Sequence, residues 1–154
     1  MNTDVIQSTI KIVFADDITD KMALIGRAIT LMLDSHIYLP DTLYIIKKNL
    51  VSPVFKNQAL IGIRDGKVVG YLSWAFLSEE AEARYIADSN CLDIPDWNSG
   101  DRIWLIDVVA PLGDAGAMLA EVRKQADLHG LRGKKVKFKK YDENNEFQIR
   151  EVRL

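Results

Sequence analysis

His36 and Asp107 have the side chains of this chain that best suit proton transfer near neutral pH. A histidine whose tautomer is held by a carboxylate is the usual arrangement for removing a proton from an incoming nucleophile. Asp107 interrupts the otherwise apolar run 103–110, and a buried carboxylate is costly unless it is paired. The two residues are therefore a candidate general-base pair, in which His36 would deprotonate an amine and Asp107 would orient the imidazole.

The residue types alone leave a structural role open for each of these side chains. His36 follows an amphipathic helix directly, where its charged form would pair with the last helix carbonyls. Asp107 would also be explained by a buried ion pair with Arg102, Lys124 or another base. The only other histidine, His129, lies at the polar end of the last predicted helix.

The segment after Asp107 has the composition of a phosphate-binding turn. Residues 110–117, Ala-Pro-Leu-Gly-Asp-Ala-Gly-Ala, lead from a predicted strand into a predicted helix. Free N–H groups and the positive dipole end of a helix attract anions such as the phosphate of phosphopantetheine, and glycines allow close approach. The residues expected to contact this ligand are Val109, Gly113, Ala115 and Gly116. The alternative is a tight turn capped by Asp114, whose negative charge opposes a phosphate.

The elements that position these residues follow from apolar periodicity and turn signals. Helices are predicted over 18–34, from Pro40 until Pro53 stops it, over 79–88, and over 114–128. Asp16 or Asp17 is expected to cap the first helix and Ser78 the third, and the apolar stripe of the first helix is Met22, Ile25, Ile29 and Met32. Strands are predicted over 59–63, 68–76, 103–110, 134–141 and 146–152, with 9–14 as a short strand or a loose arm. The turn Arg64-Asp65-Gly66-Lys67 predicts a hairpin between 59–63 and 68–76. This order predicts an α/β fold with a mixed central sheet and helices on both faces. The acyl-CoA-dependent N-acyltransferase fold (GNAT-like) has this order, and its acyl donor binds where the central strand meets its helix.

Length and composition fit one soluble domain over residues 1–154, with 1–17 as a possible N-terminal arm. The net charge of −2 gives no basic surface for nucleic acid, and the lysines between 134 and 140 are expected on a solvated strand face. A single cysteine, Cys91, excludes a disulfide framework and a cysteine zinc site, and no metal site is expected. We see no signal peptide and no apolar run of ~20 residues, so we expect a cytoplasmic protein without stable membrane association. The tryptophans are expected mainly in the core, with an acyl-chain groove as the alternative.

Three motifs in sequence order resemble the RTX toxin-activating lysine-acyltransferases, the bacterial enzymes that activate protoxins such as haemolysin. They are Ser73-Trp74-Ala75, then Trp97-x-Ser99-Gly100-Asp101-Arg102-x-Trp104-x-Ile106-Asp107, then Ala110-Pro111-x-Gly113-Asp114-x-Gly116. The resemblance covers roughly residues 23–139. Its strongest part is the segment from about 59 to 124.

This resemblance implies a GNAT-like fold, usually in a homodimer, that transfers a fatty acyl group from acyl carrier protein to internal lysines of a protoxin. It implies no permanently bound cofactor, since the acyl-carrier-protein thioester is a co-substrate. The catalytic histidine and aspartate of the family fall on His36 and Asp107. The family commonly follows its histidine with Arg-Asn-Trp-Pro, whereas Ile37-Tyr38-Leu39-Pro40 stand here.

Two other functions remain alternatives at this point. The first is a GNAT-type N-acetyltransferase that uses acetyl-CoA, although the full Arg/Gln-x-x-Gly-x-Gly/Ala pyrophosphate loop of those enzymes is missing from residues 112–117. The second is a catalytically silent chaperone that holds a toxin before secretion. A route through an acyl-enzyme would need Cys91 or Ser99 as the carrier, and neither has an obvious neighbouring base in the sequence.

Overall fold

A computed structural model of the chain describes residues 9–34, 38, 42–127 and 130–154. Its strands are β1 (Lys11–Val13), β2 (Ala59–Arg64), β3 (Lys67–Leu77), β4 (Arg102–Val109), β5 (Lys135–Tyr141) and β6 (Phe147–Arg153). Its α-helices are α1 (Ile18–Leu33), α2 (Leu43–Ile46), α3 (Ser52–Phe55), α4 (Glu79–Ala87) and α5 (Ala115–Lys124). A π-helical turn, Lys47–Val51, joins α2 to α3, and a 3₁₀ turn, Ile94–Trp97, precedes β4.

The strands form one six-stranded sheet in the order β1-β2-β3-β4-β5-β6. Every neighbouring pair is antiparallel except β4 and β5, which are parallel and are connected through α5. A parallel pair needs such a crossover, because a short turn can join only antiparallel strands. The predicted α/β class with a mixed sheet is confirmed, and so is the hairpin around Asp65-Gly66.

Helices cover both faces of the sheet, as expected. Leu24, Ala28 and Leu31 of α1 pack with Tyr71 and other residues of one sheet face. On the other face, Met118 of α5 packs with residues that include Leu60, Leu72 and Leu105. The buried stripe of α1 is offset from the predicted one, because Met22 is 61% exposed while Leu24 is buried.

Close packing of α5 on the sheet depends on a glycine in β3. A Cβ built on Gly70 would lie 2.1 Å from Sδ of Met118. No side chain can be accommodated at that distance without displacing the methionine. Gly70 therefore sets the depth at which α5, and with it the loop that follows β4, sits against the sheet.

Local capping signals predicted two helix starts correctly. Asp17 caps α1 by accepting a hydrogen bond from the Asp20 amide at 2.8 Å, and Ser78 caps α4 by accepting one from Ala81 at 3.1 Å. The predicted end of the second helix at Pro53 is wrong, since helical structure continues to Phe55. The π-helical turn before Pro53 widens the helix, which accommodates a ring that has no N–H and would otherwise strike the preceding turn.

The last predicted helix and the predicted N-terminal arm also differ from the structure. The last helix is shorter than predicted, because α5 ends at Lys124. In the predicted arm, Lys11–Val13 forms β1 and pairs with β2, while residues 1–8 lie outside the described part of the chain. Within the described residues, no helix combines the length and the apolar character needed to cross a bilayer.

Candidate active site

Asp107 lies in the second half of β4, at a β-bulge that decides which sheet face it occupies. β3 and β4 pair Trp74 with Leu105 but Ser73 with Asp107, so Ile106 is an extra residue in β4. Residues directly opposite each other in paired strands project to the same face. Asp107 therefore shares the face of Ser73, which is the face covered by α1, while Leu105 projects toward α5.

The bulge reverses the orientation that strand alternation alone would give. In a regular strand, residues two apart lie on one face, so Leu105 and Asp107 would both have pointed toward α5. One inserted residue moves the carboxylate to the opposite face. Bulges are common beside active sites because they re-aim a single side chain in this way.

Tyr38 and Ser73 contact Asp107 on this face. The hydroxyl of Tyr38 donates a hydrogen bond to Oδ1 of Asp107 over 3.0 Å, and the Asp107 amide donates one to Oγ of Ser73 over 3.3 Å. A hydrogen bond to an ionised acceptor is stronger than one between neutral groups, so Tyr38 stabilises the carboxylate form of Asp107. Residues far apart in the chain thus hold this half-buried side chain in one orientation.

The charge of Asp107 also acts on two buried tyrosines. Burial raises the pKa of Tyr71 well above its ordinary value, and the negative charge of Asp107 raises it further, with partial opposition from Ser73. The pKa of Tyr85 is raised for the same two reasons, burial first and Asp107 second. Both phenols therefore stay neutral at physiological pH, and neither would act as a base there.

His36, the predicted partner of Asp107, lies outside the described residues, so its role stays a prediction. The ion-pair partners considered for Asp107 do pair with other groups. Arg102 lies 3.1 Å from Glu82, and Lys124 lies 2.6 Å from Glu121. The alternative in which Arg102 or Lys124 neutralises Asp107 is therefore wrong.

The loop after β4 makes a tight turn that requires glycine. Gly113 has φ of +87°, a conformation that side chains disfavour, and its amide donates to the carbonyl of Ala110 over 3.0 Å. Asp114 occupies the N-cap position of α5 but makes no side-chain capping hydrogen bond. Its carboxylate is buried and instead pairs with Arg64 at the end of β2, with Nη1 2.6 Å from Oδ1. The expected capping by the Asp114 side chain is wrong.

The other residues predicted to contact the acyl donor have different surroundings. Val109 is only 4% exposed and packs in the core on the α1 side, so a contact with ligand would come from its backbone. Ala115 is half-buried and Gly116 is exposed in the first turn of α5. A Cβ on Gly116 would meet no protein atom within 4 Å, which leaves open space above that position. These contacts stay predictions.

β4 and β5 separate immediately beside this site. They pair only at Ile103 with Val136 and at Trp104 with Lys137. Residues 105–109 of β4 therefore have no β5 partner in the described sheet. The resulting cleft exposes one backbone edge of β4 next to Asp107. No local signal in the sequence marks this cleft, because it depends on how far two distant strands pair.

The alternative nucleophiles have other roles. Burial raises the pKa of the Cys91 thiol, which lowers its thiolate fraction at neutral pH. Ser99 Oγ donates to the carbonyl of Asp96 over 2.8 Å and accepts from the Ser78 amide over 2.9 Å, so it holds a loop together. Within the described part of the chain, no group of three or more His, Cys, Asp or Glu residues is placed to hold a metal ion.

Comparison with known proteins gives one family and several relatives. Residues 17–153 match the RTX toxin acyltransferase family. The RTX-II toxin-activating lysine-acyltransferase ApxIIC of Actinobacillus pleuropneumoniae is 37% identical over 102 residues, which are 66% of this chain and 64% of that protein. The protein-lysine myristoyltransferase HlyC of Escherichia coli is 43% identical over 86 residues, which are 56% of this chain and 48% of that protein. The chain thus spans less than two thirds of the length of these relatives.

The chain also has a limited similarity to a solved structure. It is an acetyltransferase of the GNAT family from Streptococcus agalactiae, which is 20% identical, with a TM-score of 0.42. The match covers 88% of this chain and 78% of the acetyltransferase.

Proposed function

Because the chain belongs to the RTX toxin acyltransferase family, we propose that it is a protein-lysine fatty acyltransferase that activates an RTX-type protoxin. The observation that carries this proposal is the family match over residues 17–153, which includes β4 and Asp107. The names of the relatives, a toxin-activating lysine-acyltransferase and a protein-lysine myristoyltransferase, support the same reaction class.

The acyl donor in this proposal is a fatty acyl thioester of acyl carrier protein. Its phosphopantetheine arm enters the cleft where β4 separates from β5 and passes the start of α5 at Gly113, Ala115 and Gly116. The open space above Gly116 supports this placement, and so does the unpaired edge of β4 as far as Val109. The carboxylate of Asp114 is no obstacle to the phosphate, since its ion pair with Arg64 neutralises it.

The reaction is a direct attack of a lysine amine on the thioester carbonyl. The ε-ammonium group first loses one proton to solvent. His36 then takes a second proton from the attacking amine, and Asp107 holds the imidazole and balances the positive charge that it gains. The nitrogen forms a C–N bond as the C–S bond breaks, and the departing thiolate receives a proton from the imidazolium. N–H groups on the free edge of β4 would polarise the carbonyl in the transition state.

Tyr38 supports the assignment of His36. It follows His36 by two residues in the sequence, and its hydroxyl contacts Asp107. The raised pKa of Cys91 and the hydrogen-bonded state of Ser99 favour direct attack over an acyl-enzyme route.

We further propose that the enzyme works in the cytoplasm as a homodimer. Exposed apolar residues on α1 support a partner surface there, since Ile18, Met22 and Leu33 are each 61% exposed. Sedimentation analysis would show a dimer at micromolar concentration. A monomer at all concentrations would contradict this part of the proposal.

The test of the function is the intact mass of an RTX protoxin co-expressed with this chain. A gain of one or two fatty acyl groups on lysine is expected, and no gain with His36→Ala or Asp107→Ala. The matched control is Asp101→Ala, which removes an exposed carboxylate just before β4. An unmodified protoxin that co-purifies with the chain would indicate a chaperone, and a gain of acetyl groups alone would indicate an acetyltransferase.

A further inference from the structure

A large cavity lies on the sheet face opposite Asp107, between α5 and strands β1 to β6. Its volume is about 440 Å³. Packed protein interiors contain few voids larger than a water molecule, and an apolar cavity of only ~150 Å³ already binds small hydrocarbons. The cavity also falls within the ~300–1,000 Å³ range of small-molecule sites. Its size is therefore sufficient for a ligand.

The walls of this cavity are mostly hydrocarbon. They include Leu60, Leu72, Trp74, Leu105, Leu119 and Val122. Trp74 is held by an edge contact with Phe14, whose ring centroid is 6.2 Å away. Hydrocarbon walls of this kind favour a ligand that is apolar along its length.

The buried polar residue of the cavity lining already has hydrogen-bond partners within the protein. Gln58 is buried, and its amide Nε2 already donates to the carbonyls of Trp74 and Trp97 over 3.0 and 2.6 Å. Asp16, Asn57 and Asn98 are exposed, and Lys56 and Gln125 are half-buried members of the lining. A nucleotide, a sugar or an extended peptide would leave its polar groups unpaired in this interior. A saturated acyl chain has none to satisfy.

The cavity and the candidate active site lie on opposite faces of the same strand, β4. Leu105 lines the cavity, and Asp107 lies on the opposite face beyond the bulge residue Ile106. Two residues of a strand span only ~7 Å. β5 stops pairing with β4 at Trp104, so no residue of β5 pairs with β4 beside Leu105 and Asp107 in the described sheet.

From these observations we infer that the cavity between α5 and the sheet is the acyl-chain subsite, and that it holds the hydrocarbon tail of the donor thioester. This inference rests on the proposed function, because it assigns the substrate of that reaction to a specific site. The thioester lies beside Asp107 on one face of the sheet, and the tail passes the split between β4 and β5 to reach the other face. The cavity volume then sets the longest acyl chain that is transferred efficiently.

The experiment fills the cavity and measures both binding and transfer. Val122→Trp places a large ring in the cavity, while Arg123→Trp adds the same ring to the exposed side of α5 as the matched control. The probe is cis-parinaric acid, a fluorescent fatty acid, displaced by myristic acid. Excluding about two methylenes weakens binding about tenfold, so at least this loss is expected for Val122→Trp and none for Arg123→Trp.

Acyl transfer is measured with carrier-protein thioesters of four and fourteen carbons. Val122→Trp is expected to lower transfer of the fourteen-carbon chain at least about tenfold relative to the four-carbon chain, because only the longer tail reaches the filled space. Retained four-carbon transfer shows that the variant is folded. If circular dichroism shows that it is not, Leu119→Phe fills the same cavity with a smaller change.

The outcomes separate this inference from the proposed function. Normal fourteen-carbon transfer by a folded, filled variant overturns the acyl-chain subsite and leaves the function standing. A second outcome is that the chain transfers no acyl group but binds fatty acid, and that Val122→Trp abolishes this binding. That result overturns both the proposed function and the donor-tail assignment, and it leaves a lipid-binding site. Wild-type transfer without any binding of the probe or of myristate also counts against the subsite.

Discussion

The hydroxyl of Tyr38 lies 3.0 Å from Oδ1 of Asp107 and donates a hydrogen bond to it, across 69 residues of sequence. This bond ties the segment after α1 to the central strand.

Replacing Tyr38 by phenylalanine tests whether this bond orients Asp107. Tyr38→Phe keeps the ring and removes only the hydroxyl, so we expect kcat for acyl transfer to fall about tenfold with KM nearly unchanged. The free energy of unfolding should fall by only about 1 kcal/mol. Steady-state kinetics and denaturant unfolding measure the two effects. Tyr44→Phe, at a tyrosine that is 62% exposed, is the control and should change neither.

The charge of Asp107 should matter more than its shape. Asp107→Asn keeps the size of the side chain but removes the negative charge that would stabilise an imidazolium, so we expect kcat to fall about 10³-fold or more. Asp101→Asn changes an exposed carboxylate and should leave kcat unaltered. Single-turnover acylation assays compare the two. Similar rates for Asp107→Asn and the wild type would exclude Asp107 from the general-base pair.

Gly116→Ala should increase the stability of the protein but weaken its binding of the acyl donor. Alanine suits a helix better than glycine by about 0.5–1 kcal/mol, and no protein atom opposes its Cβ, so the variant should be more stable than the wild type. The same methyl group would obstruct the phosphopantetheine arm and raise KM for the acyl donor. Gly26→Ala in α1, which also meets no protein atom, is the control. It should gain similar stability with an unchanged KM.

The ion pair between Asp114 and Arg64 should couple the β2–β3 hairpin to the start of α5. Asp114→Ala leaves a largely buried guanidinium without this partner, so we expect a loss of about 3 kcal/mol in the free energy of unfolding. A double-mutant cycle with Arg64→Met should give a coupling free energy of about 2 kcal/mol. The exposed pair of Lys135 and Glu151 is the comparison and should couple by less than about 1 kcal/mol. Equal coupling in both pairs would contradict a structural role for the buried one.

Cys91 should be both unreactive and dispensable. Because burial raises its thiol pKa, its thiolate fraction at any given pH is smaller than that of a free cysteine, and alkylation by iodoacetamide should accelerate only at higher pH. The unfolded chain, whose thiol pKa is about 8.5, is the reference. Cys91→Ser should retain acyl transfer. Loss of activity in that variant, with the fold intact, would revive the acyl-enzyme route.

Features that depend on neighbours in the sequence were predictable from it. The Asp65-Gly66 hairpin and the caps Asp17 and Ser78 were correct, because each depends on residues a few positions apart. The side chain of Asp114 was expected to cap α5 for the same kind of reason. A distant arginine, 50 residues earlier, binds that carboxylate instead, and no local rule could have revealed it.

The sequence by itself determined the fold class and indicated Asp107 as a candidate catalytic residue. A carboxylate within an apolar strand is unusual, and the sequence alone shows it. Only the tertiary structure decided which way Asp107 points and what it touches. The register between β3 and β4 inserts Ile106 as a bulge, and this turns the carboxylate from the α5 face toward Tyr38 and Ser73. The extent of β4–β5 pairing likewise decides where the sheet opens. Both follow from pairing between distant strands, whose energies depend on the whole sheet and not on the residues of either strand alone.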